Sequence, residues 1–313
     1  MILRIGTRGS RLALKQSRWV KERLESEYPD LQVELIPIKT TGDRILDAPL
    51  SRVGGKGLFV KEIEDALLLG RVDVAVHSMK DVPAQLPEAL TLSTFPEREP
   101  ANDAFIAVEF PSLDALPTGA TVGTSSLRRG AQLLNMRPDL HLLPLRGNVD
   151  TRLSKLEQGE IQAVILAAAG LKRMDLWHRI TQMIPFAQML PAIGQGALGL
   201  EVRREDKQTM DRLAFLNHEA TQHQIEAERA FLKRLEGGCQ VPIGGLARIQ
   251  GEQLVFEGMV AELDGSTIYR DSLSGEKDRA EEIGNALAKR LLSRGADKIL
   301  ARIYAGDLDH QGT

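Results

Sequence analysis

Cysteine is almost absent from this chain of 313 residues, which has one, Cys239. A lone thiol forms no intramolecular disulfide and has no second thiolate beside it for a metal site. Aromatic residues are 4% of the chain, too few for a platform on which nucleic-acid bases stack. Neither sign of charge dominates. With a net charge of −3, no global field draws the chain to nucleic acid or to an anionic membrane. The longest uncharged apolar stretch, 161–171, is far below the ~20 residues that span a bilayer. The first residues, Met1–Gly6, lack the charged-then-apolar order of a signal peptide, so a cytoplasmic location is expected. The six histidines show no metal-ligand spacing: His218 and His223 are five apart, not the four that share one helical face.

What is present is an ordinary globular composition, 42% apolar and 27% charged, in a chain long enough for two or three cores. Strand and helix patterns alternate over the first two thirds. Strands are expected at 3–6, 31–39 and 72–77, with helices from a Ser10 cap to about 26 and over 58–69. The pattern restarts near residue 100. There, strands are expected at 121–123, 140–145, 161–167 and 197–203, with a helix capped by Ser125 or Ser126 and another over 149–158. Such β-α-β alternation implies mainly parallel sheets with helices on both faces.

The last third changes character. A long helix over 219–235 should end on a left-handed Gly237 or Gly238. Strands at 245–250, 254–262 and 267–273, parted by Gly251-Glu252 and Asp264-Gly265, form an antiparallel meander before a helix over 278–293. The expected fold is α/β, with two doubly wound lobes resembling periplasmic binding proteins plus a C-terminal α+β domain. The domains are expected at 1–99 with 200–217, at 100–199 and at 218–313, and the two chain crossings make a hinge.

Basic residues recur where strands end or helices begin: Arg8, Arg128, Arg129, Arg146, Arg152, Lys172 and Arg173. In a parallel α/β sheet those loops gather at one edge, where helix N-termini add unpaired N–H groups. Arg recognises carboxylates in a planar, two-pronged way, so the implied ligand carries several carboxylates or phosphates. Asp81 follows a strand end beside Lys80, where a carboxylate can accept an N–H, move a proton or stabilise a developing cation. Gly54-Gly-Lys-Gly57 lacks the spacing of a nucleotide loop, which leaves Lys56 as a further anion contact. Cys239, between a glycine pair and a proline turn, can present a thiolate to an electrophile.

Seven blocks then stand in order: Thr7-Arg-Gly-Ser10, Val53-Gly-Gly-Lys-Gly-Leu-Phe59, His77-Ser-Met-Lys-Asp-Val-Pro83, Gly123-Thr-Ser-Ser-Leu-Arg-Arg129, Leu145-Arg-Gly-Asn148, Leu190-Pro-Ala-Ile-Gly-Gln-Gly196 and Glu236-Gly-Gly-Cys-Gln-Val-Pro242. On these the chain resembles the porphobilinogen deaminase family, the hydroxymethylbilane synthases, over essentially its whole length.

The resemblance implies a cytoplasmic transferase of tetrapyrrole biosynthesis. It adds four porphobilinogen molecules head to tail, each losing ammonia, and water then releases hydroxymethylbilane. One dipyrromethane cofactor per chain is joined by a thioether to Cys239. The acid matching Asp81 would stabilise the azafulvenium cation left by deamination. Cofactor contacts would come from Ser78, Lys80, Thr124, Ser125, Ser126, Arg128, Arg129, Arg146 and Asn148. Substrate contacts would come from Arg8, Ser10, Lys56, Arg152 and Arg173. Gln195 falls in a matching hinge block. The partner is the small molecule porphobilinogen; a monomer with no metal, nucleic acid or membrane is expected.

Three residues depart from the family pattern. Arg11 stands where many relatives have Pro, Arg52 where Lys is common, and Thr41 where Arg often precedes Gly-Asp43. The rival reading is a solute-binding protein, which has two such lobes and catalyses nothing. It leaves Cys239 and the last third of the chain without a purpose.

Overall fold

The computed structural model describes residues 2–44, 57–236 and 241–305. The first sheet has the order β2-β1-β3-β10-β4, from β1 (Ile2–Arg8), β2 (Gln32–Ile38), β3 (Val74–Ser78), β4 (Leu90–Thr94) and β10 (Leu198–Arg203). β1 runs parallel to β2 and β3, and β10 runs antiparallel to β3 and β4. Helix α1 (Arg11–Glu27) covers one face, where Val20 and Leu24 meet Leu3, Ile5, Val74 and Val76. A second helix, α2 (Thr41–Arg44), follows β2, and α3 (Lys61–Leu68) covers the other face through Ile63, Ala66 and Leu67.

The second sheet repeats this plan in the order β7-β6-β8-β5-β9, from β5 (Asp103–Ala107), β6 (Thr121–Gly123), β7 (His141–Leu143), β8 (Ala163–Ala167) and β9 (Gln182–Met183). Again one strand is reversed: β5 runs antiparallel to β8 and β9. Helices α4 (Leu127–Met136), α5 (Val149–Glu157) and α6 (Ala168–Arg173) follow β6, β7 and β8. The third sheet is the expected meander of β11 (Ile243–Gln250), β12 (Gln253–Ala261) and β13 (Ile268–Glu276), all antiparallel. After α7 (Lys207–Leu213), helices α8 (Glu219–Arg234), α9 (Ala280–Leu291) and α10 (Asp297–Ala305) complete the chain, α8 and α9 packing Phe231 and Leu287 on Phe256 and Val260.

Several expectations need correction. The two five-stranded sheets are mainly parallel, as expected, but each holds one reversed strand. The strand expected at 197–203, across the domain boundary expected at 199/200, spans 198–203 and lies wholly inside the first sheet between β3 and β4. The helix expected from 58 begins at Lys61, because a turn at Gly57 (φ 82°) carries the chain as far as Val60. The strand expected to 145 ends at Leu143, before Pro144, which has no N–H to give a ladder. Glu236 (φ 54°), directly after α8, stands in the left-handed region; Gly237 and Gly238, expected to end the helix, lie outside the described residues. The helix expected over 278–293 spans 280–291 and then, through left-handed Gly295 (φ 116°), leads into α10.

The chain crosses between the sheets twice, over 95–102 and 184–197. The crossings touch: Glu99 N–H donates to Gly196 O at 3.3 Å, and Arg98 Nε donates to Gln195 O at 2.9 Å. Glycine permits this approach. A Cβ on Gly196 (φ 90°) would stand 2.3 Å from Glu99 O, and one on Gly194 (φ 73°) would stand 2.8 Å from Met79 Cβ.

Candidate active site

The end of β3 delivers the central acid. Ser78 leads into a single 3-10 turn, Met79–Asp81, so that Lys80 and Asp81 leave the sheet at its edge. Arg8, at the end of β1, lies between two carboxylates. Its Nη2 reaches Asp43 Oδ1 at 2.5 Å and its Nη1 lies 3.9 Å from Asp81 Oδ2. The guanidinium also sits over the Phe59 ring, 4.2 Å from its centroid. Burial pushes the Asp43 carboxyl up, but the Arg8 bonds and charge outweigh it, and the group titrates below its ordinary value. One cavity between the lobes is lined by Arg8, Ser10, Ser78, Lys80 and Asp81 from the first and by Arg173 from the second.

Three expected polar residues cap helices that start at this edge. Ser10 Oγ accepts from Ala13 N–H at 3.3 Å, Ser126 Oγ from Arg129 N–H at 3.4 Å, and Asn148 Oδ1 from Thr151 N–H at 2.9 Å. Ser125 Oγ donates to Leu145 O at 2.8 Å, and Thr124 Oγ1 accepts from Ser126 N–H at 3.2 Å. These side chains shape the loops that hold the arginines.

The arginines fall into two groups. Arg128 and Arg129 are buried and share Asp103: Arg128 Nη1 meets Oδ2 and Arg129 Nη2 meets Oδ1, each at 2.7 Å. Burial pushes the Asp103 carboxyl up, but the two guanidinium groups overcome it and hold the group far below the usual carboxylate range. Gln195 Nε2 donates to the same Oδ1 at 3.0 Å, which ties this cluster to the crossing.

Arg146, Arg152 and Arg173 behave differently. Among the described residues no carboxylate lies within ion-pair distance of them. Arg152 Nε donates to Gly147 O at 2.9 Å and Arg173 Nη2 to Gly196 O at 2.6 Å. Desolvation, with the charges of Arg129 and Arg146, pushes the Arg152 guanidinium down to about 10. Desolvation likewise pushes Arg173 down to about 10, against the pull of Glu99. The Lys80 amine is pushed down to about 8, by desolvation first; Asp81 opposes this, and the charges of Arg129 and Arg128 add to it.

This uncompensated positive charge is the test of fit for a dipyrromethane, whose rings carry acetate and propionate groups. A polycarboxylate would relieve the repulsion among Arg129, Arg146 and Arg152, and Arg128 Nε is a buried N–H with no partner among the described residues. The residues fit. Cys239 and Lys56 lie outside the described residues. Asp43, Asp103 and Glu201 were given no role from the sequence, and Phe59 and His77 stood there only as ends of matching blocks. Only Asp43, in Thr-Gly-Asp just after a strand, carried a readable signal.

A family model described as "Porphobilinogen deaminase, dipyromethane cofactor binding domain" matches residues 3–211, and "Porphobilinogen deaminase, C-terminal domain" matches 223–293. The chain is 52% identical over 311 residues to a porphobilinogen deaminase of Geobacter sulfurreducens, covering 99% of this chain and 97% of that one. It is 53% identical over 306 residues to that of Pelobacter propionicus, with 98% of each covered. Among solved structures, the periplasmic aliphatic sulphonate binding protein of Escherichia coli superposes with a TM-score of 0.41 at 14% identity, covering 75% of this chain and 70% of that one. With family matches across both halves and relatives of this identity over nearly full length, the chain belongs to the porphobilinogen deaminase family.

Proposed function

We propose that the chain joins four porphobilinogen molecules head to tail with loss of ammonia, on a dipyrromethane carried by Cys239, and then releases hydroxymethylbilane by hydrolysis. The observation that carries this reading is the set of arginines without carboxylate partners among the described residues, Arg146, Arg152 and Arg173, of which Arg173 lines one cavity with Asp81 of the other lobe. The bound dipyrromethane supplies the nucleophilic pyrrole carbon from which elongation starts.

The chain's own side chains do the rest. Asp81, with Arg8 beside it, accepts a pyrrole N–H and stabilises the positive charge that develops as ammonia leaves porphobilinogen. Arg8, Ser10, Lys56, Arg152 and Arg173 bind substrate carboxylates. Ser78, Lys80, Thr124, Ser125, Ser126, Arg128, Arg129, Arg146 and Asn148 hold the cofactor's acetates and propionates, directly or by fixing the loops that do. Closure of the lobes excludes water and strengthens these contacts.

In this reading residues 1–99 with 200–217, 100–199 and 218–313 act as three units of a cytoplasmic monomer with no nucleic-acid or membrane partner. Among the described residues no helix is long and apolar enough to cross a membrane. The test is the intact mass of the purified protein beside that of Cys239→Ser. An excess of two linked pyrrole units in the parent alone, with formation of hydroxymethylbilane from porphobilinogen, is expected. A bare-chain mass that persists after incubation with porphobilinogen overturns the reading.

A further inference from the structure

The end of β3 holds a buried pair of titratable groups that this chemistry leaves unused. His77 Nε2 lies 2.8 Å from Glu201 Oε2, with His77 at 4% exposure and Glu201 fully buried. β3 and β10 run antiparallel with Gly199 opposite His77 and Ala75 opposite Glu201, so the contact is diagonal across the two strands. Directly after His77 come Ser78 and the Met79–Asp81 turn, and β10 begins directly after the Gly194–Gly196 crossing. His77 itself lines the cavity of Arg8, Ser78, Lys80 and Asp81.

Two further charged groups face the pair. Glu64 of α3 has its carboxyl pushed up to about 7, by burial first and then by the charge of Glu201, with His77 opposing. Arg229 of α8 feels the Glu201 charge against its own desolvation, and its Nη2 donates to Ala84 O at 3.3 Å. Glu64 Oε1 and Glu201 Oε1 are buried with no hydrogen-bond partner among the described residues. Stability is a poor reason for such a cluster. A buried ion pair roughly breaks even against apolar side chains of similar volume, and unpartnered oxygens add cost. What the contact does supply is a fixed register between the strand that ends in the Asp81 turn and the strand that returns from the second lobe.

We infer that His77 and Glu201 are positioning residues for the Lys80–Asp81 turn, locking the end of β3 to β10 so that Asp81 holds its place as the lobes move. This rests on the reading of Asp81 as the acting carboxylate. The test compares Glu201→Gln, the double variant His77→Leu with Glu201→Leu, and Asp81→Asn. For each, kcat and KM for porphobilinogen are measured per cofactor-loaded molecule, with the loaded fraction taken from intact mass and the melting temperature alongside.

Both pair variants are expected to lose about tenfold or more in kcat at near-parent KM, because ångström misplacement of reacting groups costs up to ~100-fold. The double variant should melt near the parent, and its loaded fraction should fall, since Ser78 and Lys80 leave the same strand end. A double variant with kcat within about twofold of the parent overturns the inference, and Glu201→Gln decides in the same way if the double variant does not fold. An inactive Asp81→Asn beside an active double variant removes the pair's role alone. Full activity in Asp81→Asn overturns the Asp81 reading and this inference with it.

Discussion

The Arg98 guanidinium meets the Glu228 carboxylate in a buried two-pronged pair, Nη1 to Oε1 at 2.6 Å and Nη2 to Oε2 at 3.1 Å. Arg98 lies on the first crossing and Glu228 on α8. The same carboxylate accepts from Gly194 N–H on the second crossing at 2.6 Å and from Ala247 N–H on β11 at 2.9 Å. One side chain thus joins both interlobe segments to the C-terminal sheet.

Removing Arg98 would leave that carboxylate buried with two backbone donors and no countercharge. Arg98→Ala is expected to cost about 3–5 kcal/mol, the range for breaking one side of a buried pair. Urea unfolding of the cofactor-loaded protein checks this. A loss below about 1 kcal/mol would mean that water reaches Glu228 and the node is weaker than its geometry implies.

The cleft arginines make a separate prediction about elongation. Arg152 has a backbone carbonyl and two like charges near it, so its strongest available partner is a ligand carboxylate. Arg152→Ala should lower turnover by about tenfold to a hundredfold, the loss of roughly 1.5–3 kcal/mol from one charged hydrogen bond. Mass spectra should show shorter enzyme-bound chains accumulating. Parent-like distributions of bound intermediates would remove Arg152 from the elongation path.

Lys80 predicts a pH dependence. Its amine is pushed down to about 8 from an ordinary 10.5, so between those values the folded protein has released a proton that the unfolded chain still holds. Folding stability from this group therefore rises with pH across that window, while attraction for carboxylates falls. Because Lys80 is read as a cofactor contact, the porphobilinogen concentration needed to load the apoprotein with its dipyrromethane should climb above about pH 8, by up to about tenfold per pH unit. Lys80→Arg, which keeps its charge, should flatten that climb. An unchanged climb in Lys80→Arg would assign it to another group.

Much of this was legible in the chain. Ser10 before an apolar period gave α1, and turn residues at 251–252 and 264–265 gave the meander, because caps and tight turns depend on neighbours in sequence. The reversed strands β5 and β10 were not legible, since a period of two reads the same in either direction. Arg8 and Asp81 announced themselves at strand ends. Asp103 did not: in Ala-Asn-Asp-Ala it reads as a loop acid, and its partners Arg128 and Arg129 lie about 25 residues on. The His77–Glu201 contact joins residues 124 apart through a strand pairing that no local pattern encodes.

Across the mouth of the cleft, exposed ion pairs join α1 of the first lobe to the second. Arg11 Nη1 lies 3.2 Å from Asp150 Oδ1, and Lys15 pairs with Asp175, whose backbone sits in the left-handed region at φ 61°. Such exposed pairs contribute about 0–1 kcal/mol each and weaken as salt shortens the ~10 Å screening length of 0.1 M solution. A clasp this weak can open at each addition without stalling, yet biases the empty cleft toward closure. Asp150→Asn combined with Asp175→Asn should raise the radius of gyration at low salt to the value the parent reaches near ~1 M salt, as read by small-angle scattering. Arg11 supplies one of the two pairs, and Pro at that first helical position would carry no charge to pair with Asp150. Arg11→Pro should therefore reproduce half of the effect, and identical scattering curves for all three proteins would leave closure to the buried contacts of the crossings alone.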